Sequence, residues 1–257
     1  MVNKQVDTVY ADPLATIEQF RFDDKVAAVF ADMIKRSVPG YSTILNMIGD
    51  ITERYVQDNS QCYDLGCSLG AATLAMRHKL AASGCQIISI DNSPAMIERC
   101  RHTIELDTNS KPSLTPVELY CCNIDAIDIT NASIVVLNFT LQFIPLEQRQ
   151  TIIQSIYDGL LPGGILLLSE KVMFEDEPHQ QLLTDLYHNF KRNNGYSNLE
   201  IAQKRTALED FLQPETIDTH KQRLKSAGFA SADVWFQCLT FASVIAIKDT
   251  ARQAIKG

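Results

Sequence analysis

The residues with the clearest chemical content lie in one short segment, Asp64-Leu-Gly-Cys-Ser-Leu-Gly70. It follows an apolar stretch of strand length, 61–65, and precedes a helical pattern over 71–82, the setting in which a glycine loop receives a nucleotide-like ligand. Gly66 permits a tight backbone turn and Gly70 a close approach of helix and strand. Ser68 stands where a dinucleotide fingerprint has its middle glycine; a pyrophosphate needs that close approach, so a dinucleotide is disfavoured. A plain strand–turn–helix connection would use the same glycines, but a second signal follows. Asp91 ends the next apolar run, 86–91, at the spacing of an acid that accepts from both hydroxyls of a ribose. Asn92 beside it can reach the base or the ribose. Asp91 could instead cap the helix that starts at Ser93-Pro94, yet Ser93 supplies that cap itself.

These residues need a scaffold, and the apolar pattern supplies one. Residues 25–36 place Val26, Val29, Phe30 and Met33 on one helical stripe, which Pro39-Gly40 ends. A second helix follows Tyr41-Ser42, with Ile44, Leu45, Ile48 and Ile51 inward. Strands at 61–65, 86–91, 117–122, 134–138 and 165–169 then alternate with helices over 71–82, from Ser93 to about 107, and 146–160, the last stopped by Pro162-Gly163-Gly164. About three helices interrupt the rhythm over 174–228, and residues 234–238 and 241–248 close the chain as an antiparallel hairpin at the sheet edge. Continuous apolar strands alternating with amphipathic helices predict a doubly wound α/β fold, Rossmann-like, with a mostly parallel sheet and an antiparallel edge strand. One domain over 1–257 is expected, with an N-terminal helical cap at about 22–55 and a helical insertion at about 174–228. Ligands of such sheets sit at the carboxyl ends of the strands.

Composition removes several alternatives. Apolar residues at 46% and charged residues at 21% are globular values, and no apolar run reaches membrane-spanning length. Residues 1–20 carry Asp7, Asp12 and Glu18 and lack an apolar core, so no signal peptide is expected, and the chain is placed in the cytoplasm. Seven cysteines without a CxxC pair read as reduced, mostly buried thiols, and five scattered histidines predict no metal site. A net charge of −8 disfavours direct nucleic-acid binding while leaving room for a local basic pocket.

The D-x-G-x-x-x-G form resembles the loop that class I S-adenosylmethionine-dependent methyltransferases place around the methionine part of their cofactor. By that likeness Asn123-Ile124 falls where an acidic residue usually meets the adenine amine; the Asn oxygen can accept from that amine and Ile124 can pack on the ring, although a turn Asn would look the same. Asn138 ends the strand that faces the sulfonium in such folds, where it would act as a polar clamp or merely bond its own loop.

Further segments make the resemblance more selective. Ser37-Val-Pro-Gly-Tyr41, Tyr63-Asp-Leu-Gly-Cys-Ser68, the run from Asp91 to Cys100, the run from Val136 to Phe143, Leu168-Ser-Glu-Lys171, Asn194-Gly-Tyr-Ser197, Gln203-Lys-Arg205 and Trp235-Phe-Gln-Cys238 resemble the bacterial carboxy-S-adenosyl-L-methionine synthases of the tRNA wobble-uridine pathway, over about 22–248. The resemblance implies S-adenosyl-L-methionine as substrate and prephenate as the carboxyl donor. It implies contacts by Tyr41 at the methionine end, by Gly66, Cys67 and Ser68 in the loop, by Asp91 and Asn92 at the ribose, by Asn123 and Ile124 at the adenine, and by Asn138 near the sulfonium. It further implies a homodimer in which Arg205 reaches the neighbouring subunit's site and binds the added carboxylate, with Arg205, Tyr41 and Asn138 nearest the chemistry. Family members often carry Asp at the position of Asn123. Arg suits a carboxylate because its planar fork bonds both oxygens. Lys191, Arg192, Lys204 and Arg205 make the segment locally basic; Lys191 and Lys204 are expected on a solvated helix face, and Trp235 and Phe236 in the core or an interface.

Overall fold

A computed structural model describes residues 6–111 and 113–250. The five apolar runs of the middle of the chain are parallel strands: β1 (Gln61–Leu65), β2 (Gln86–Asp91), β3 (Val117–Cys121), β4 (Ala132–Asn138) and β5 (Leu160–Lys171). The hairpin β6 (Ser231–Cys238) and β7 (Phe241–Ile247) is antiparallel and completes a sheet of order β3-β2-β1-β4-β5-β7-β6, with β7 rather than β6 paired to β5. The order reverses between β1 and β4, and ligands of doubly wound sheets bind at the carboxyl ends beside such a reversal.

Helices cover both faces because β1, β4 and β5 are apolar on both sides. On one face, α2 (Tyr41–Tyr55) and α3 (Ala71–Arg77) set Ile44, Ile48, Ala72 and Met76 against Cys62, Ile87, Ile134 and Leu167. On the other, α5 (Leu146–Gly159) and α8 (Ile217–Ala227) set Ile153, Ile156 and Leu224 against Leu65, Val135 and Leu166. Each fully buried Ile or Leu contributes about 1.5–3 kcal/mol, so these two layers hold the sheet that carries the site. A further cluster joins α1 (Asp24–Ser37), α4 (Pro94–Ser110) and α7 (Asn198–Leu208) through Met33, Met96 and Ala207, with Tyr10 and Phe20 from the preceding segment. The segment after β5 forms α6 (Glu177–Asn193), α7 and α8.

Several boundaries differ from the sequence expectation, two of them by five residues. The third helix ends at Arg77, not near residue 82, because Arg77 turns inward and ties the helix end to its neighbours: Nε donates to the Thr115 carbonyl at 2.9 Å and Nη1 to Asp107 at 2.8 Å. Pro162-Gly163-Gly164 does not precede the fifth strand but lies inside it. Pairing with β4 jumps from Ala132↔Leu160 to Ala132's second neighbour Ile134↔Ile165, so the three residues form a bulge, with Gly163 at φ 76°.

Candidate active site

The glycine loop is fixed from below. Gly66 and Cys67 both donate their N–H to the Ile90 carbonyl at 2.8 Å, which pins the turn to β2. Gly66 has φ 81°, and a Cβ there would lie 2.4 Å from Thr140 Oγ1, so glycine is required both by conformation and by the approach of the β4 end. Gly70 caps α3 at φ 83°; the close neighbour of its missing Cβ is Cys100 Sγ of α4, at 2.8 Å, rather than a strand. Ser68 is held at φ 50°, left-handed backbone that serine adopts at some strain.

Asp91 is the loop's second anchor. Its carboxylate accepts from Ser68 N–H and from Ser93 N–H, each at 2.9 Å, while Ser93 Oγ accepts from Met96 N–H and caps α4. Asp91 therefore braces the turn into α4 as well as the glycine loop. Burial raises its pKa, partly opposed by the two N–H groups. A carboxylate has about four acceptor sites, so about two remain for hydroxyl groups of a ligand. Asp64, only 1% exposed, accepts from Thr73 Oγ1 at 2.6 Å and is pushed up to about 6 by burial. It fastens the loop to α3.

Above these groups lies a cavity of about 400 Å³, over the carboxyl ends of β1 to β5. Tyr41, Gly66, Cys67, Ser68, Asp91, Asn92, Asn123, Ile124 and Asn138 all line it. Asn92 Nδ2 donates to Asn123 Oδ1 at 3.0 Å, so the ends of β2 and β3 are coupled. Asn138 Oδ1 is buried and has no partner among the described residues, an acceptor suited to a cationic or N–H-bearing group. Tyr41 begins α2 behind Gly40, which has φ 75° and whose missing Cβ leaves room for the ring of Phe236. Burial raises the Tyr41 phenol well above its ordinary range, so it acts as a neutral donor. Arg205 is not in this chain's own cavity; it is exposed on α7.

The cavity also holds groups that the residue patterns did not place in the site. Phe22, Phe143 and Phe211 form an aromatic wall, with ring centroids 5.3 Å apart for Phe22–Phe143 and 4.9 Å for Phe143–Phe211. Lys171 and Lys204 line the opposite region with Tyr187. The expectation of a solvated face for Lys191 and Lys204 is wrong: they are 5% and 6% exposed, because α6 and α7 fold back over α1 instead of projecting outward. Burial pulls Lys191 down to about 7 and Lys204 to about 8. A lysine directly after an apolar strand, as in Leu168-Ser-Glu-Lys171, was a readable sign, since that end of a parallel sheet is the ligand side. Trp235 and Phe236 pack against the core, as expected. Among the described residues no group of His, Cys, Asp and Glu could hold a metal, and no helix is long and apolar enough to cross a membrane.

Strand order, the glycine loop after β1 and the acidic residue ending β2 define the fold as that of the class I S-adenosylmethionine-dependent methyltransferases. Solved structures agree: human N-acetylserotonin methyltransferase in complex with SAM matches with TM-score 0.60 at 18% identity over 88% of this chain and 56% of that one. A putative S-adenosyl-L-methionine-dependent methyltransferase from Methanococcus maripaludis matches with TM-score 0.59 at 19% identity, over 93% of this chain and 99% of that one. The family described as "Methyltransferase domain" matches residues 63–164. Proteins named carboxy-S-adenosyl-L-methionine synthase from Trichlorobacter lovleyi and Shewanella loihica are 57% and 55% identical, each over 96% of this chain and 100% of the relative. The chain belongs to the carboxy-S-adenosyl-L-methionine synthase family.

Proposed function

We propose that this protein converts S-adenosyl-L-methionine and prephenate into carboxy-S-adenosyl-L-methionine and phenylpyruvate, supplying the carboxylated product to a separate enzyme that modifies tRNA wobble uridine. The observation that carries the reading is the glycine loop, Asp91 and Asn138 opening on one cavity in a chain that aligns end to end with relatives of that name. The loop at Gly66, Cys67 and Ser68 and the side chain of Tyr41 hold the methionine end. Asp91 and Asn92 take the ribose, and Asn123 with Ile124 the adenine. Asn138 sits beside the sulfonium, its unpartnered oxygen facing positive charge.

The sulfonium acidifies its methyl group, which loses a proton to give an ylide. Prephenate loses carbon dioxide and hydroxide and becomes phenylpyruvate. The ylide captures the carbon dioxide, forming the new carbon–carbon bond, and the proton and hydroxide leave as water. Apolar walls around the reacting atoms limit the water that reaches the ylide and the carbon dioxide. Arg205 of the partner subunit of a homodimer then binds the new carboxylate. The reaction runs in the cytoplasm, where the seven free cysteines stay reduced. The net charge of −8 fits a protein that acts on small molecules and does not bind tRNA directly.

Incubation of the purified protein with S-adenosylmethionine and prephenate, followed by mass spectrometry, tests the reading. A product heavier than S-adenosylmethionine by one carbon dioxide supports it. S-adenosylhomocysteine as the product with an added acceptor, and no carboxylated species, would select an ordinary methyltransferase instead.

A further inference from the structure

Two lysines, Lys171 and Lys204, line the end of the cavity away from Asp91, and a third, Lys191, stands behind them at the Tyr187 and Tyr196 rings. Lys171 ends β5, Lys191 lies near the end of α6 and Lys204 on α7. Asp91 ends β2, and β1 and β4 stand between β2 and β5, so three strand spacings, roughly 14 Å, separate Asp91 from Lys171. Tyr187 lies between Lys171 and Lys191, whose ammonium groups stand 5.3 and 5.6 Å from its ring centre. Tyr196 is ringed in turn by Lys191 at 5.5 Å, Lys204 at 5.7 Å and Arg36 at 4.0 Å.

The anions nearby do not balance these cations. Arg36 is paired with Asp32 at 3.0 Å. Asp7, buried, accepts from Tyr196 Oη and from that position attracts Lys191 and Lys204, and Glu200 attracts Lys191 more weakly. None of the three lysines forms a salt bridge among the described residues, and the one hydrogen bond from their ammonium groups is Lys204 Nζ to Ser37 Oγ at 3.1 Å. Each ammonium has three protons to donate. An unpaired buried ammonium is a large penalty for a fold, and folds retain such groups where a ligand completes them. Burial lowers all three lysines from their ordinary value, which expresses the same deficit. The walls beside them are aromatic: Tyr187 and Phe241 line the cavity with centroids 5.2 Å apart, and Phe139 meets Phe241 at 5.9 Å.

We propose that Lys171 and Lys204, backed by Lys191, are the anion subsite for the carboxylates of the second substrate, with Tyr187 and Phe241 enclosing its ring. This rests on the synthase reading and extends it. The ligand class is a small dicarboxylate with an unsaturated ring. Two negative charges match three ammonium groups already partly offset by Asp7, and flat apolar walls match a ring. The subsite brings the donor carboxylate toward the end of β4, where Asn138 pairs with Ser169 of β5. It also explains why Lys171 and Lys204 line the same cavity as the glycine loop.

The test compares wild type with Lys204→Met, Lys171→Met and the rescue variant Lys204→Arg. Prephenate binding is measured by calorimetry, S-adenosylmethionine binding likewise, and KM and kcat by product formation. The subsite predicts that each Met variant raises the prephenate Kd and KM about tenfold or more, with the S-adenosylmethionine Kd within about twofold and partial recovery in Lys204→Arg. The Met variants are predicted to melt no lower than wild type, because an apolar side chain of similar volume replaces an unpaired charge. Should Lys204→Met fail to fold, Lys171→Met and Lys171→Gln give the same reading. Unchanged prephenate KM in variants that still form carboxylated product overturns the subsite and leaves the synthase reading standing. If wild type forms no carboxylated product, that reading falls separately; lysine-dependent prephenate binding then still supports the subsite, and lysine-independent or absent binding overturns it.

Discussion

Replacing Asp91 should affect fold and ligand together, because one carboxylate serves both. It accepts from Ser68 N–H and Ser93 N–H at 2.9 Å each. Bonds to a charged acceptor contribute about 1.5–3 kcal/mol each, giving an upper bound of about 3–6 kcal/mol for the pair. Water entering the cavity can replace part of this, and relief from burying the carboxylate offsets more, so the expected loss of stability for Asp91→Ala is about 2 kcal/mol. About two acceptor sites remain for ribose hydroxyls, and losing them should weaken S-adenosylmethionine about 100-fold. Asp91→Asn keeps one acceptor oxygen and should lose about 1 kcal/mol and about tenfold in affinity. Urea denaturation reads the first quantity and calorimetry the second, on samples shown folded by circular dichroism. Affinity within about twofold of wild type in folded Asp91→Ala would refute the ribose assignment.

The glycine loop should respond asymmetrically: Gly66→Ala, strained at φ 81° and 2.4 Å from Thr140 Oγ1, should unfold more easily and lose ligand, whereas Ser68→Gly, which relieves φ 50°, should gain up to about 1 kcal/mol in denaturation and keep its affinity. Loss of binding in Ser68→Gly would mean that the hydroxyl itself touches the ligand. Mixing inactive Arg205→Leu with inactive Asp91→Ala should restore about a quarter of wild-type activity if Arg205 acts across a dimer, since half of randomly paired dimers are mixed and each has one complete site. No recovery, with mixed dimers seen by native mass spectrometry, would place Arg205 in its own subunit's site or outside the chemistry. His220, buried and pulled down to about 4 mainly by desolvation, stays neutral in the fold while the unfolded chain protonates near the ordinary 6.5. Its stabilisation is therefore present above that pH and lost as pH falls toward about 4; between about pH 7 and about pH 5 wild type should lose about 2 kcal/mol relative to His220→Leu in urea titrations. The opposite trend from Glu170, raised to about 8 by burial, is common to both proteins and cancels.

The parallel strands β1, β2, β4 and β5 were legible because each is largely buried and leaves a continuous apolar run, and the glycine-loop side of the cavity was legible because it hangs on strand ends: Gly66, Asp91, Asn123 and Asn138 each follow or close a strand. On the lysine side only Lys171, at the end of β5, left a readable sign. Lys191 and Lys204 sit in helices of ordinary composition, and only the packing of α6 and α7 against α1 buries them, through long-range contacts such as Lys204 Nζ to Ser37 Oγ. Asp7 was equally hidden, lying in a segment without periodicity yet buried under Tyr196 and Arg36. The bulge at Pro162-Gly163-Gly164 was misread because turn residues look alike in a connection and inside a strand.

The most direct test of the account follows the transferred carboxyl carbon. The purified protein is incubated with S-adenosylmethionine and prephenate carrying heavy carbon in its ring carboxylate, in buffer equilibrated with ordinary carbon dioxide. The account predicts a carboxylated sulfonium product that retains the heavy carbon, formed in step with phenylpyruvate, because the cavity holds the released carbon dioxide beside the ylide. Unlabelled carboxylated product would mean capture from solution, and S-adenosylmethionine left intact while phenylpyruvate forms would contradict the proposed coupling of the two substrates.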